Sequence, residues 1–167
     1  MKEKEKSIAI VPGSFDPITN GHIDILRRAS EEYDKVYLAV MINSNKNYMF
    51  NISQRTNIAK AAVADIPNVE VICSEGMLWE LARDLSAVAI VKGYRNDIDL
   101  EYERSMAEYN SAHYPEAQTV LLQANERLTD VSSTAVRGKI LNGEPLDGIL
   151  PSGAINEINK IIAEQKL

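Results

Sequence analysis

Five short runs dominated by Val, Ile and Leu recur along the chain, at Ile8–Val11, Val36–Ile42, Val69–Cys73, Val88–Val91 and Thr119–Leu122. Their apolar residues mostly follow one another instead of alternating with polar ones, which is the pattern of strands covered on both faces. Between them the period changes. Ile23 and Leu26 set against Arg27 and Ser30 predict a first amphipathic helix, beginning near His22. Ser53 ahead of Arg55–Ala64 predicts an N-capped, alanine-rich helix, and Met77–Leu85 a shorter one. Leu100–His113 predicts a polar helix that ends before Pro115, and Ser133–Leu141 and Ser152–Glu164 two more. In the last, Ile155, Ile158 and Ile162 form one stripe. Strand and helix alternating in this way predict an α/β fold: a Rossmann-like, doubly wound, five-stranded parallel sheet with C-terminal helices. Such sheets bind ligands beyond the carboxyl ends of their strands. The loops that matter are therefore Pro12–Gly21, Asn43–Phe50, Ser74–Gly76, Lys92–Asp99 and Gln123–Ser132.

Composition narrows the class of function. The 167 residues are expected to form a single domain over 1–167, with no repeat or linker. A net charge of −6 excludes a general binder of nucleic acid or anionic membrane, since both need clustered cations. It leaves room for a small anion held by a few local cations. Cys73, the single cysteine, lies in an apolar run and is expected to be a buried space-filler. One Cys and two distant His provide no metal-ligand set. After the mixed charges of MKEKEK, Ile8–Val11 is too short for a signal-peptide core, and no stretch approaches a membrane span. The expected location is cytoplasmic.

Four stretches could carry chemistry. In "PGSFDPITNGH" there is no G-x-G-x-x-G fingerprint, but Gly13 and Gly21 permit close backbone approach and Asn20-Gly21 permits positive φ. His22, at a helix start, either directs one N–H toward a phosphoryl oxygen or merely caps the helix. Lys46 in "NSNKNYMF" is a phosphate partner or a solvated loop lysine. Lys92, Gly93 and Arg95 end the fourth strand and put two cations at the binding edge. Asp99, Glu101 and Glu103, which follow, suit the first turns of a helix. Ser132, Ser133 and Thr134 offer three hydroxyls where capping needs one, so a second oxyanion seat is plausible there. Arg137, one turn on, either assists it or decorates the helix surface.

Together these stretches resemble a known family. "PGSFDPITNGHIDI" is similar to the T/H-x-G-H signature of the nucleotidylyltransferases, whose fold class I aminoacyl-tRNA synthetases share. "KGYRNDIDLEYE" and "VSST" narrow the resemblance to the bacterial phosphopantetheine adenylyltransferases, from Ile8 to the last helix. That resemblance implies adenylyl transfer from ATP to 4′-phosphopantetheine with Mg²⁺, giving dephospho-coenzyme A and pyrophosphate. It implies His22, Lys46 and Arg95 as catalytic groups. ATP would meet Ser14, Phe15, His22, Gly93, Tyr94, Arg95, Glu103 and the stretch Leu128, Thr129, Asp130, Val131, Ser132, Ser133 and Thr134. Phosphopantetheine would meet Ser14, Lys46, Leu78 and Lys92. The resemblance further implies a homohexamer, inhibition by coenzyme A at the same site, and no partner of nucleic acid or membrane. Two positions depart from the family pattern: Lys92 stands where Arg is usual, and Tyr94 where Leu is.

The residues suit this chemistry. The acceptor is already an anionic phosphate, so no general base is needed; alignment and charge stabilisation suffice. Two rival readings remain. Nicotinamide-mononucleotide adenylyltransferases share an "SST"-plus-Arg signature, but carry a second histidine where Thr19 stands and lack "KGYR…EYE". A nucleotide-binding regulatory module without turnover is the other.

Overall fold

The computed structural model describes residues 6–165; the first five residues of the charged opening run lie outside that range. Five strands, β1 (Ile8–Gly13), β2 (Lys35–Met41), β3 (Val69–Ser74), β4 (Ala89–Tyr94) and β5 (Gln118–Gln123), pair in parallel in the order β3-β2-β1-β4-β5. The helices are α1 (Asn20–Glu32), α2 (Ile52–Ala62), α3 (Leu78–Asp84), α4 (Asp97–His113), α5 (Ser133–Leu141) and α6 (Ser152–Gln165). The α/β sheet expected from the apolar runs is present.

The strand period of two divides the core. Ala9, Val11, Val36, Leu38 and Val91 point to one face, where they pack with Ile23 and Leu26 of α1, Ile58 of α2, Val136 of α5 and Ile158 of α6. Ile10, Ala39 and Ile90 point to the other, against Ala82 of α3 and Tyr114 at the end of α4. β1 is the switch point: the chain leaves it for β2 on one side and later returns to β4 on the other. Its ladder with β2 runs from Ile8 to Gly13, whereas its ladder with β4 covers only Ala9 and Ile10. Beyond Ile10 the two central strands no longer pair. That gap opens the sheet at its carboxyl edge.

Several local expectations are corrected. α2 is capped by Asn51 and not by Ser53: Asn51 Oδ1 accepts from the Gln54 N–H at 2.8 Å and Gln54 Oε1 from the Asn51 N–H at 3.0 Å. This reciprocal box places Ser53 inside the first turn. α4 starts three residues before Leu100, because Asn96 caps it by accepting from the Asp99 N–H. Lys92, Gly93 and Tyr94 belong to β4 and not to the loop after it, just as Pro12 and Gly13 belong to β1. Asn20 and Gly21 form the first turn of α1, so Gly21 needs no positive φ. Cys73 is exposed and not buried; it lies near the end of β3, an edge strand covered by a neighbour on one side only. Among the described residues no helix is long and apolar enough to cross a membrane.

Candidate active site

A cavity of about 410 Å³ fills the gap between β1 and β4, within the range of small-molecule sites. Its floor is Val11–Gly13 and Val91–Gly93, and its walls are α1, the start of α4 and the start of α5. Phe15 closes one side, with φ of 50°, a left-handed backbone that a bulky residue seldom adopts. The conformation lays its ring on Gly13, where a Cβ would lie 3.0 Å from ring carbons. The same ring meets the His22 imidazole edge-on, with centroids 4.9 Å apart.

His22 is the third residue of α1, and the capping reading of it holds. The backbone N–H of Thr19 donates to its Nδ1 at 3.0 Å, so the ring does cap the helix. Because Nδ1 accepts, the proton of the neutral imidazole sits on Nε2, the nitrogen left for the cavity that the ring lines. Burial, and then the positive charge of Arg95, hold its pKa down to about 4. The ring is therefore a neutral, oriented N–H donor at pH 7 and a poor proton acceptor.

Cations meet this donor already paired. Lys92 Nζ lies 2.8 Å from Glu103 Oε2, and the two side chains are 26% and 13% exposed. Arg95 Nε lies 3.3 Å from Asp99 Oδ2. Across the cavity, Arg137 donates to the Asp16 carbonyl at 2.9 Å and to Thr134 Oγ1 at 3.1 Å, with the Asp16 carboxylate 3.8 Å away. Arg137 thus ties α5 to the loop after β1 and is not surface decoration. Of the three hydroxyls, Ser132 caps α5 through the Ala135 N–H, Ser133 donates to the Pro17 carbonyl, and Thr134 receives Arg137. The amino end of α5 is left facing the cavity as a second anion seat beside α1.

Of the residues expected at the site, Phe15, His22, Lys92, Gly93, Tyr94, Arg95, Glu103, Leu128, Val131, Ser132, Ser133 and Thr134 line this one cavity. Ser14, Lys46, Leu78, Thr129 and Asp130 do not. Ser14 lies between β1 and Phe15 and gives its carbonyl to Arg55. Lys46 is exposed on the loop after β2, and Leu78 begins α3 and packs into the smaller core cluster. Thr129 and Asp130 lie in the loop before α5, Thr129 half-buried with its hydroxyl donating to the Glu126 carbonyl and Asp130 exposed.

The sequence reading missed Thr19, Asp16, Arg55 and Tyr102. Tyr102 lines the cavity, and Thr19 orients the histidine. Arg55 is 2% exposed and donates to the carbonyls of Ser14, Met41 and Phe50, stitching the first loop to the second. Its signal was in the chain: with Ile58, Ala59 and Ala62 it occupies an i, i+3, i+4, i+7 stripe, and a cation on an apolar stripe marks a buried polar junction. Among the described residues no group of His, Cys, Asp or Glu could hold a metal ion. The carboxylates nearest the cavity are already engaged by Lys92, Arg95 and Arg137. This donor set fits a cation that arrives on phosphate oxygens, not one caged by protein.

Comparison with known proteins agrees with this geometry. A cytidylyltransferase-like family model matches residues 10–139. The phosphopantetheine adenylyltransferase of Alkaliphilus metalliredigens is 46% identical over 130 residues, covering 78% of this chain and 83% of the relative. Those of Rubrobacter xylanophilus and Streptococcus equi subsp. zooepidemicus are 39% identical over 155 residues and 36% over 160. Each covers more than nine-tenths of both chains.

Proposed function

The chain belongs to the phosphopantetheine adenylyltransferases of the cytidylyltransferase-like family, and from that membership we propose how its residues transfer adenylate. The enzyme uses ATP and 4′-phosphopantetheine and makes dephospho-coenzyme A and pyrophosphate. A phosphate oxygen of the acceptor bonds to the α-phosphorus of ATP. The bond from that phosphorus to the bridging oxygen breaks, and pyrophosphate leaves with the electron pair. No proton need be removed from the nucleophile.

The observation that carries the residue assignment is the fixed tautomer of His22. Its Nε2–H is the donor to an α-phosphoryl oxygen, and it tightens as negative charge grows there. Arg95 and Lys92 leave Asp99 and Glu103 for phosphate oxygens, while the amino ends of α1 and α5 face the triphosphate. Gly93, Tyr94 and the stretch 128–134 shape the nucleotide side. Ser14, Lys46 and Leu78 meet the acceptor, with Lys46 supplying a positive charge for its phosphate. Nucleotidyltransferases of this kind use a divalent metal in general; we assign Mg²⁺, carried in as MgATP, where it offsets triphosphate charge.

Pyrophosphate release in a coupled assay tests the reading, with ATP, Mg²⁺ and 4′-phosphopantetheine. Turnover with nicotinamide mononucleotide instead, or ATP binding without turnover of either acceptor, would overturn it.

The working form in this proposal is a cytoplasmic homohexamer that coenzyme A inhibits at the same site. Support for assembly comes from Ile98, Tyr102, Met106 and Tyr109, large apolar residues exposed along one face of α4. Sedimentation equilibrium at micromolar concentration is expected to give a hexamer; a mass near 18.6 kDa would refute it.

A further inference from the structure

Lys46 is the one proposed phosphate partner that stands outside the cavity, exposed on a loop, with no ion pair among the described residues. A lone lysine on a loose loop would lose much rotational and backbone freedom in gripping a phosphate. The loop is not loose. It leaves β2 at Met41, and the Asn43 N–H donates to Tyr48 Oη at 3.0 Å, closing the segment on itself. Within it the Lys46 N–H donates to the Asn43 carbonyl at 3.0 Å, and the Asn45 N–H to Asn43 Oδ1.

The far end is bolted down. Asp16, 4% exposed, accepts from the Met49 and Phe50 N–H groups, one on each carboxylate oxygen, both at 2.9 Å. The Tyr48 ring lies over the Arg55 guanidinium at 3.8 Å. Asp16 itself sits in the nucleotide loop, where its carbonyl is held by Arg137. One buried carboxylate therefore fixes the Lys46 loop to the nucleotide half of the site. A neutral surface turn would not need a charged, buried acceptor with two backbone donors.

We propose that Asp16 and Tyr48 are positioning residues for the acceptor's anionic group, acting through Lys46 by holding the loop 43–50 in a preset arc. The inference rests on the role given to Lys46 above. Its consequence is specific: loosening the arc should matter only while Lys46 is there to be presented.

The experiment is a double-mutant cycle on the full-length enzyme, reading kcat/KM for 4′-phosphopantetheine and KM for ATP. Asp16→Asn keeps the shape but turns an amide N–H toward one of the two backbone donors. Tyr48→Phe removes only the hydroxyl and leaves the ring on Arg55, so it is expected to fold even if Asp16→Asn does not. With Lys46 present, Asp16→Asn is expected to lower acceptor kcat/KM roughly tenfold or more, and Tyr48→Phe less, because small misplacements of a charged group are felt strongly. In a Lys46→Ala background each effect should shrink to within about twofold, and KM for ATP should hold throughout. Equal losses with and without Lys46, or a parallel rise in KM for ATP, would overturn the proposal and leave both residues as fold contacts. An unfolded Asp16→Asn protein beside a Tyr48→Phe enzyme indistinguishable from wild type would overturn it as well. If Lys46→Ala alone matched wild type, the role of Lys46 would fall first and the positioning role with it; a normal Lys46→Ala loss with additive double mutants would sink the positioning role alone.

Discussion

The two halves of the site are built differently. On the nucleotide side the histidine and the cations have partners before substrate arrives: His22 with Thr19, Arg95 with Asp99, Lys92 with Glu103, Arg137 with Asp16 and Thr134. Phe15 and two helix ends enclose it. On the acceptor side an exposed lysine stands on a loop, and Leu78 at the start of α3 is only half-buried. The difference teaches where each kind of catalysis resides. Charge that develops at the α-phosphorus requires donors fixed in advance, since reorganising them during the reaction would forfeit their advantage. Charge that is already present on the incoming phosphate can be met by an exposed side chain on a loop whose backbone is held.

Removing the fixed donor should break the nucleotide side most severely. His22→Ala is expected to lower kcat by about 10²–10³ with little change in KM for ATP, because the donor acts on the transition state. The Thr19 N–H loses its acceptor too, so stability should fall by about 0.5–2 kcal/mol, as for a lost helix cap. Steady-state kinetics and thermal melts check both. Full kcat in a folded protein would leave His22 as a cap alone.

The same ring predicts two pH behaviours. With its pKa held at about 4, His22 stays neutral across the usual assay range, so kcat should show no limb near 6.5 from this group. Stability should behave otherwise. An unfolded chain takes up the proton near pH 6.5 that the folded chain refuses until about 4, so this contribution is complete above 6.5 and declines as pH falls toward 4. Melting temperatures of the wild type should drop faster than those of His22→Ala between pH 6.5 and 4. Parallel curves would show that burial does not perturb the ring.

Much of the nucleotide side was legible in the chain, and for a physical reason. Its groups are contiguous: "GSF", "NGH", "KGYR" and "SST" each arrive on one strand end or helix start, and a parallel sheet brings all such ends to one edge. The sheet itself was legible because Ile8–Val11 and Val36–Ile42 are apolar on both faces. What failed was local or long-range. Asn51 against Ser53 as the α2 cap was decided by a reciprocal hydrogen bond that two adjacent polar residues could equally have made. Cys73 was misplaced because an apolar run does not reveal which strand is at the edge. Asp16 was missed because its partners Met49 and Phe50 lie 33 and 34 residues away, and spacing carries no trace of that; the stripe that Arg55 shares with Ile58, Ala59 and Ala62 marked its burial, but not its tie to Ser14 41 residues away.

On the acceptor side, Lys46→Ala should be milder and one-sided. Loss of a single charged hydrogen bond is worth roughly 1.5–3 kcal/mol, which corresponds to about a ten- to hundredfold fall in kcat/KM for 4′-phosphopantetheine. KM for ATP should not move, since Lys46 stands outside the nucleotide cavity. A matched rise in both KM values would erase the distinction between the two halves.

The smallest effect is expected where the halves meet. Lys92 ends β4 beside Gly93 and pairs with Glu103 at 2.8 Å, so it belongs by geometry to the paired side and by its expected substrate to the open one. Glu103 Oε2 makes no well-angled hydrogen bond despite that short distance, so the contact is chiefly charge on charge. A guanidinium carries the same charge and could present one edge to Glu103 and another to phosphate, which a single ammonium must do by turning. Lys92→Arg should therefore keep kcat within about threefold and lower KM for the acceptor if the lysine must abandon Glu103 to reach it. Lys92→Ala should instead raise that KM, leaving Glu103 without its cation in a mostly buried setting. Kinetics of the two variants with each substrate varied decide the matter. Should Lys92→Arg change only KM for ATP, Lys92 would belong wholly to the nucleotide side, and the border between the halves would lie on the far side of β4.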